Sequence, residues 1–272
     1  MLRFCGVFAS DHRHLKCAVA ATCQGGKVGD RPKGRVGVGY WGGDEVLLMR
    51  RPVGAESGIV QMIGPAIGNH VLFGIDDSQT AQFRLESTSP FRFRNYLGLV
   101  SVGQIKQKDF AERLLFHVPE YLARDARSDL PSELLFLLYL SYVHDLGRIE
   151  APRIAPGMLM DALRSTLMLV PKLLDGSPPP LALCVGNGRH MVAAAIGTDL
   201  WMRSFDGIDP CPLCSEPERT VDRDSRFVRH RDVRVVAFAH HDGIAPAQGF
   251  AKLPPGQVVA ATSTGEIISR SV

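Results

Sequence analysis

Two cysteines in the last third of the chain have a spacing suited to metal or redox chemistry. Cys211 and Cys214 are separated by two residues, and such a pair supplies half of the four ligands of a structural zinc site. A redox motif of this spacing is expected beside a βαβ unit, which the flanking sequence lacks. We therefore expect loop cysteines without a chemical role, with zinc binding and a redox or disulfide pair as the alternatives. Further candidate ligands are available in the sequence, but no second pair has ligand spacing: Cys184, His230, His240 and His241.

The hydrophobic pattern divides the chain into strands, then helices, then strands again. Short apolar runs between turn residues predict strands at 4–9, 36–41, 45–49, 71–75, 96–102, 181–185, 191–195, 233–239 and 257–261. Helical spacing predicts helices at 14–22, 131–143 and 157–170. This order predicts an α+β protein made of sheet and helix layers with mostly antiparallel strands. His240 and His241 follow a predicted strand, and we expect them in an exposed loop.

Composition and charge exclude several classes of protein. The net charge of +3 is too small to indicate a nucleic-acid or membrane-surface partner, and no apolar run is long enough to span a bilayer. The first ten residues are a poor signal peptide and predict a buried strand. Six cysteines without a signal do not indicate a disulfide framework, so we expect reduced thiols in a cytoplasmic protein. With no recognisable linker, we expect a single domain over residues 1–272 that needs no cofactor.

Five segments, in order and at sensible spacing, resemble those of the small stand-alone class II glutamine amidotransferases. They are MLRFCGVFA at 1–9, GVGYW and LLMRRP at 37–41 and 47–52, ESTSPFR at 86–92, SELLF at 132–136, and VRVVA and LPPG at 233–237 and 253–256. The resemblance covers nearly the whole chain. It implies the N-terminal nucleophile hydrolase fold, a four-layer αββα sandwich of two stacked, mostly antiparallel sheets.

The same resemblance assigns the family's catalytic positions to residues that cannot perform its reaction. The N-terminal cysteine nucleophile matches Leu2, which has no nucleophilic atom. The arginine that binds the glutamine carboxylate matches Asp76, whose charge would repel that group. The oxyanion asparagine matches Val102 when Gly103 anchors the segment, and the aspartate that binds the glutamine ammonium matches Pro131. Loss of one oxyanion donor alone lowers a rate by roughly 10²–10³.

Positions that serve the fold are retained in the same segments, among them Pro90, Phe91, Gly103, Glu133 and Phe136. We expect Gly103 to be retained for a backbone turn. Changes confined to the chemistry predict a pseudoenzyme whose work is binding. The expected partner is an unidentified protein, a second copy of the chain in a homo-oligomer, or a small ligand in the former pocket.

Two enzymatic alternatives remain. The segment Cys5–Ala9 also resembles the C-G-I-x-A start of the amidotransferase domains of larger synthetases. Removal of residues 1–4 would make Cys5 the N-terminal nucleophile of an active amidohydrolase. Without that removal, Cys5 is expected to be a small buried strand residue. The second alternative is a hydrolase with an altered substrate.

Overall fold

The structure is a computed structural model, and it describes residues 2–23, 34–43, 45–52, 59–63, 68–76, 86–105, 107, 109–147, 149, 154–214, 229–241 and 249–272. Its strands are β1 (Leu2–Ala9), β2 (Arg35–Gly42), β3 (Glu45–Pro52), β4 (His70–Asp76), β5 (Phe91–Phe93), β6 (Tyr96–Val102), β7 (Leu181–Gly186), β8 (Met191–Ile196), β9 (Trp201–Asp206), β10 (Arg234–His240), β11 (Ala251–Lys252), β12 (Gln257–Ala261) and β13 (Ile267–Ser271). Its α-helices are α1 (Leu15–Cys23), α2 (Ile59–Met62), α3 (Phe110–Leu115), α4 (Glu120–Ala123), α5 (Pro131–Asp145) and α6 (Pro156–Leu169).

The strands form two antiparallel sheets. The first sheet has the order β11-β9-β10-β1-β4-β2-β3, and the second has the order β13-β12-β8-β7-β6-β5. Strand β1 lies in the interior of the first sheet, where it pairs antiparallel with β10 on one side and β4 on the other. Both sheets and the antiparallel arrangement confirm the predicted fold class.

Three apolar layers hold the sheets and helices together. The first lies between the outer face of the first sheet and helices α1 and α2, and the second lies between the two sheets. The third packs the outer face of the second sheet against α3 to α6. This is the four-layer αββα sandwich. Among the described residues, no helix is both long and apolar enough to cross a membrane.

Side chains of β1 alternate between two of these layers because successive strand residues point to opposite faces. Leu2, Phe4 and Phe8 pack in the layer between the sheets, whereas Cys5 and Val7 pack under helix α1. An even sequence separation along β1 therefore keeps a side chain in the same layer, and an odd one moves it to the other.

His240 does not lie in an exposed loop, and that prediction is wrong. It ends β10 with 1% of its surface exposed, its Nδ1 lies 2.8 Å from the carbonyl oxygen of Asp199, and its ring packs beside Phe4. The strand continues through this residue because it still pairs with Phe4 of β1. His241 is half-buried, with Nε2 3.5 Å from Nη1 of Arg3.

Buried His70 makes the stability of the fold depend on pH. Burial lowers the pKa of His70 to about 3, because its ring is enclosed near Phe8 and Trp41. The unfolded chain takes up this proton near pH 6.5 and the folded chain does not, so stability is lost as the pH falls from about 6.5 towards 3. We expect His70 to contribute a loss of about 1.4 kcal/mol per pH unit over this range.

Urea unfolding at pH 7, 6 and 5 measures this effect. In His70→Phe the free energy of unfolding should vary less steeply with pH, because about one proton fewer is taken up on unfolding. The control His117→Phe, at an exposed position, should retain the wild-type slope. Equal slopes in the wild type and His70→Phe would show that His70 is not the responsible group.

Candidate functional site

The position that matches the family's nucleophile is filled by an aliphatic contact between the two sheets. Leu2 begins β1 and packs against the inter-sheet layer. A Cβ built on Gly74 of β4 would lie 3.0 Å from Leu2 Cδ1 and 3.2 Å from Leu99 Cδ2. The side chains of Leu2 and Leu99 therefore both pack over the backbone of Gly74, and Leu2 is partly buried against the apolar inter-sheet layer.

Asp76 lies beside Leu2 but is engaged by a cation of its own sheet. It ends β4, where it pairs with Leu2 of β1 and Arg35 of β2. Arg35 Nη2 donates to Asp76 Oδ2 at 2.5 Å, and Arg35 Nη1 donates to Ser87 Oγ at 3.1 Å. The side chains of Arg35 and Asp76 are only 12% and 21% exposed, so this is a partly buried ion pair.

Val102 and Gly103 do not present oxyanion donors to Leu2. Val102 packs against the layer on the helical side of the second sheet, so its side chain points away from the layer that holds Leu2. The backbone N–H of Gly103 donates to the carbonyl oxygen of Pro180 at 2.8 Å, which continues the pairing between β6 and β7. Ser101, which faces the inter-sheet layer, is 1% exposed, and its Oγ has no hydrogen-bond partner among the described residues.

The reason predicted for Gly103 is also wrong. The backbone of Gly103 does not have a positive φ, so its conformation does not require a glycine. Close packing requires it instead: a Cβ at this position would lie 2.8 Å from Cδ of Pro180 and 3.4 Å from Cβ of Pro179.

Pro131 is the first residue of α5, which packs on the outer face of the second sheet. A proline has no charged group for an ammonium, and Asp129 nearby is exposed. Two residues on, Glu133 is 5% exposed and accepts hydrogen bonds from Ser128 Oγ at 2.5 Å and the backbone N–H of Arg127 at 3.1 Å. Glu133 therefore fixes the loop before α5.

Three of the resembling segments converge on Arg50. Arg50 Nη2 donates to the carbonyl oxygen of Pro90 at 2.6 Å. Burial, together with the nearby charge of Arg127, lowers the pKa of Arg50 to about 10, and the charges of Glu133 and Glu86 oppose that shift. These contacts join β3, the segment before β5 and the start of α5.

Cys5 is buried on the other face of β1 from Leu2. It pairs with Ala239 and Phe73 in the interior of the sheet, and its side chain is 8% exposed in the layer under α1. Burial raises the pKa of its thiol well above the ordinary value, and Cys23 and Cys184 add to the effect.

The structure brings Cys211 and Cys214 together with two residues that are distant in sequence. The Sγ atoms of Cys17, Cys211 and Cys214 and a ring nitrogen of His230 all lie within 4.8 Å of one another. Cys17 is in the first turn of α1, and His230 begins the 3-10 helix His230–Asp232. Spacing relative to the Cys211–Cys214 pair does not point to Cys17, and it gives His230 only as one of several candidate ligands, because both residues lie apart from that pair in the sequence.

The local environment of Cys211 favours its thiolate. Partial burial opposes ionisation, but hydrogen bonds from the backbone N–H groups of Leu213 and Cys214 and with the side chains of Cys17 and Cys214 together outweigh it, so the pKa of Cys211 lies below its ordinary value. For Cys17, burial first and then its hydrogen bond with Cys211 raise the pKa.

This architecture occurs in solved structures of glutamine amidotransferases. The chain is similar to a glutamine aminotransferase class-II domain protein from Silicibacter pomeroyi, with a TM-score of 0.57, 15% identity and coverage of 99% of this chain and 98% of that one. It is similar to a predicted glutamine amidotransferase from Pseudomonas aeruginosa, with a TM-score of 0.58, 15% identity and 99% of each chain covered. It also matches 49% of the glutamine phosphoribosylpyrophosphate amidotransferase of Bacillus subtilis, with a TM-score of 0.55, 10% identity and 99% of this chain covered.

No protein-family model and no curated protein matches the sequence. The fold is that of the class II glutamine amidotransferase domains, the N-terminal nucleophile hydrolase sandwich. The chain aligns with nearly the whole length of the first two structures and with about half of the third.

The packing around Gly103 can be tested with a single methyl group. We expect Gly103→Ala to lower the free energy of unfolding by about 1–3 kcal/mol, because the added Cβ would overlap the ring of Pro180. The matched control is Gly176→Ala, whose Cβ meets nothing within 4 Å and which should be neutral or stabilising by about 0.4–1 kcal/mol. Urea denaturation of the two variants measures both, and equal stability would contradict the packing argument.

The Arg35–Asp76 ion pair can be tested with a double-mutant cycle. We expect a coupling energy of about 1–3 kcal/mol between Arg35→Ala and Asp76→Ala, above the 0.2–1 kcal/mol typical of exposed pairs, because both side chains are largely shielded from water. The exposed pair Arg124–Glu120 provides the matched control cycle. A coupling no larger than that of the control would show that Asp76 does not depend on Arg35.

Proposed function

We propose that residues 1–272 form one class II glutamine amidotransferase-like domain that has lost catalysis and acts by binding, as a regulatory or scaffold component. The observation that carries this proposal is the packing of Leu2 against Leu99 over Gly74. A nucleophile and a substrate carbonyl need a polar, accessible space at this point. Here the space between the sheets holds two leucine side chains.

The surrounding groups support the same conclusion. Asp76 carries a negative charge beside residue 2, and its partner Arg35 is already bound to it. The backbone N–H of Gly103 is occupied by Pro180 and is not directed at a reacting carbonyl. Arg35 and the backbone N–H of Gly103 are thus both engaged within the protein and are not directed at a glutamine carboxylate or an oxyanion.

The geometry of Cys5 argues against its use as an N-terminal nucleophile. Cys5 lies three positions after Leu2, an odd separation, so its thiol is under α1 and not between the sheets. Removal of residues 1–4 would also delete Phe4 from the inter-sheet layer together with its pairing to His240 and Gly74. The raised pKa of the thiol further disfavours the thiolate.

Ammonia release from glutamine tests the loss of catalysis. We expect the purified wild-type chain to release ammonia no faster than a blank without protein, and we expect intact-mass analysis to show that Cys5 is preceded by Phe4. Cys5→Ala and the control Cys23→Ala, a partly buried cysteine at the end of α1, should behave like the wild type.

Release that Cys5→Ala abolishes and Cys23→Ala preserves, with a mature chain starting at Cys5, would replace this proposal by the active amidohydrolase. Release that survives Cys5→Ala would indicate a hydrolase with a different nucleophile. The binding role is measured separately by light scattering and affinity capture. A chain that is monomeric and captures no protein or small ligand would contradict it.

A further inference from the structure

The cluster of Cys17, Cys211, Cys214 and His230 has the dimensions of a four-coordinate metal site. Cys17 Sγ lies 3.9 Å from Cys214 Sγ and 3.4 Å from His230 Nε2, and Cys214 Sγ lies 3.6 Å from the same nitrogen. With Zn–S near 2.3 Å and Zn–N near 2.05 Å, tetrahedral angles place ligand sulfurs about 3.8 Å apart and a sulfur and a nitrogen about 3.6 Å apart. The three distances among Cys17, Cys214 and His230 match this geometry, and Cys211 Sγ lies within 4.8 Å of all three donor atoms.

The types of donor atom select the metal. Three thiol sulfurs and one imidazole nitrogen form a soft set with no oxygen donor, which suits Zn²⁺ and does not suit Ca²⁺ or Mg²⁺. A disulfide would account for at most two of the three sulfurs, and all three cysteines are free. It would also leave the position of His230 unexplained.

Secondary structure and backbone hydrogen bonds hold the four donors in place. Helix α1 carries Cys17, which is 8% exposed and faces the layer under the first sheet. The chain leaves β9 through Cys211 and Cys214 and returns to β10 through His230. Two backbone bonds join the departing and returning segments, from the N–H of Ile208 to the carbonyl oxygen of His230 at 2.9 Å and from that of Gly207 to Val233 at 2.8 Å.

We propose that Cys17, Cys211, Cys214 and His230 bind one Zn²⁺ ion as a structural site. Each thiol that binds the metal does so as a thiolate and releases its proton to solvent, with no change in oxidation state. Four protein ligands complete the tetrahedron and leave no position for water or substrate, so the site stabilises and does not catalyse.

The site is separate from the region around Leu2. Cys17 follows the end of β1, and the β9–β10 connection enters β10 at Arg234, beside Val235, which pairs with Ala9. Leu2 is at the opposite end of the eight-residue strand β1, roughly 20 Å away at the usual rise per strand residue. Zinc binding therefore does not depend on whether the chain is an enzyme.

Metal analysis of the full chain tests the proposal. Protein purified under reducing, oxygen-free conditions should contain one zinc per chain by mass spectrometry of the metal. Chelator should remove it and lower the melting temperature, and added Zn²⁺ should restore both. Co²⁺ added to the metal-free chain should give the absorption of a tetrahedral thiolate complex, which reports the ligand set without any assay of activity.

Variants identify the ligands. Cys17→Ser, Cys214→Ser and His230→Ala should each weaken zinc binding by more than the roughly 10–100-fold caused by loss of a residue that is hydrogen-bonded to a metal ligand. The matched controls are Cys23→Ser, on the same helix as Cys17 but outside the cluster, and the exposed His117→Ala. Both should bind zinc with wild-type affinity.

Three results would overturn the proposal. The first is a wild-type chain that neither contains zinc nor binds added Zn²⁺ or Co²⁺ when folded and reduced. The second is retention of zinc at wild-type affinity by Cys17→Ser and His230→Ala. The third is a disulfide between two of these cysteines in the oxygen-free preparation. The first and third are measured on the wild type, so they do not require any variant to fold.

Discussion

The alternation of side chains along β1 is the constraint on which both the fold and its chemistry depend. This strand is paired on both edges and buried on both faces, so its odd and even positions belong to different apolar layers. Leu2 belongs to the layer between the sheets, and Cys5 belongs to the layer beneath α1. No small shift in register moves the thiol of Cys5 to the place of residue 2 without also exchanging the layers of Phe4, Val7 and Phe8. Chemistry at this end of β1 is therefore set by residue 2 itself.

The retained segments have a structural explanation that does not involve catalysis. Three of these segments meet at the partly desolvated guanidinium of Arg50. Its neighbours there are Glu86, Pro90 and Glu133. Removing either carboxylate would leave this cation less well compensated, which is costly away from water. The backbone of Ser89 also packs closely on Gly37. A Cβ at position 37 would lie 1.8 Å from the carbonyl oxygen of Ser89, so only glycine fits there. Such contacts preserve the segments whether or not a substrate is bound.

Much of the fold could be predicted from the sequence, because buried strands and buried helices each leave a local pattern of apolar residues. Strand β6 was predicted at its observed bounds, and α5 begins at the predicted Pro131. Strand β9 was missed because its alternation is weak and its residues are half-buried or exposed. The candidate positions Leu2, Asp76 and Val102 followed from the resembling segments. The cysteine cluster could not be predicted, because Cys17 and His230 are 213 positions apart and meet only through tertiary structure. The reason for Gly103 could not be predicted from the sequence, because the neighbour that limits its size, Pro180, is distant in sequence and lies just before β7.

The pairing of β1 with β10 has a consequence for how the chain folds during synthesis. Phe4 pairs with His240, so β1 receives one of its two neighbours only after the intervening residues up to β10 have been made. At roughly 5–20 residues per second, this interval is roughly 10–50 s. Strand β4 can cover one edge of β1 early, but the other edge remains open to pairing with other chains until β10 emerges. Contacts so distant in sequence also slow folding. The protein thus has a long interval in which an apolar strand is exposed, and its yield in the cell is expected to depend on how that edge is shielded.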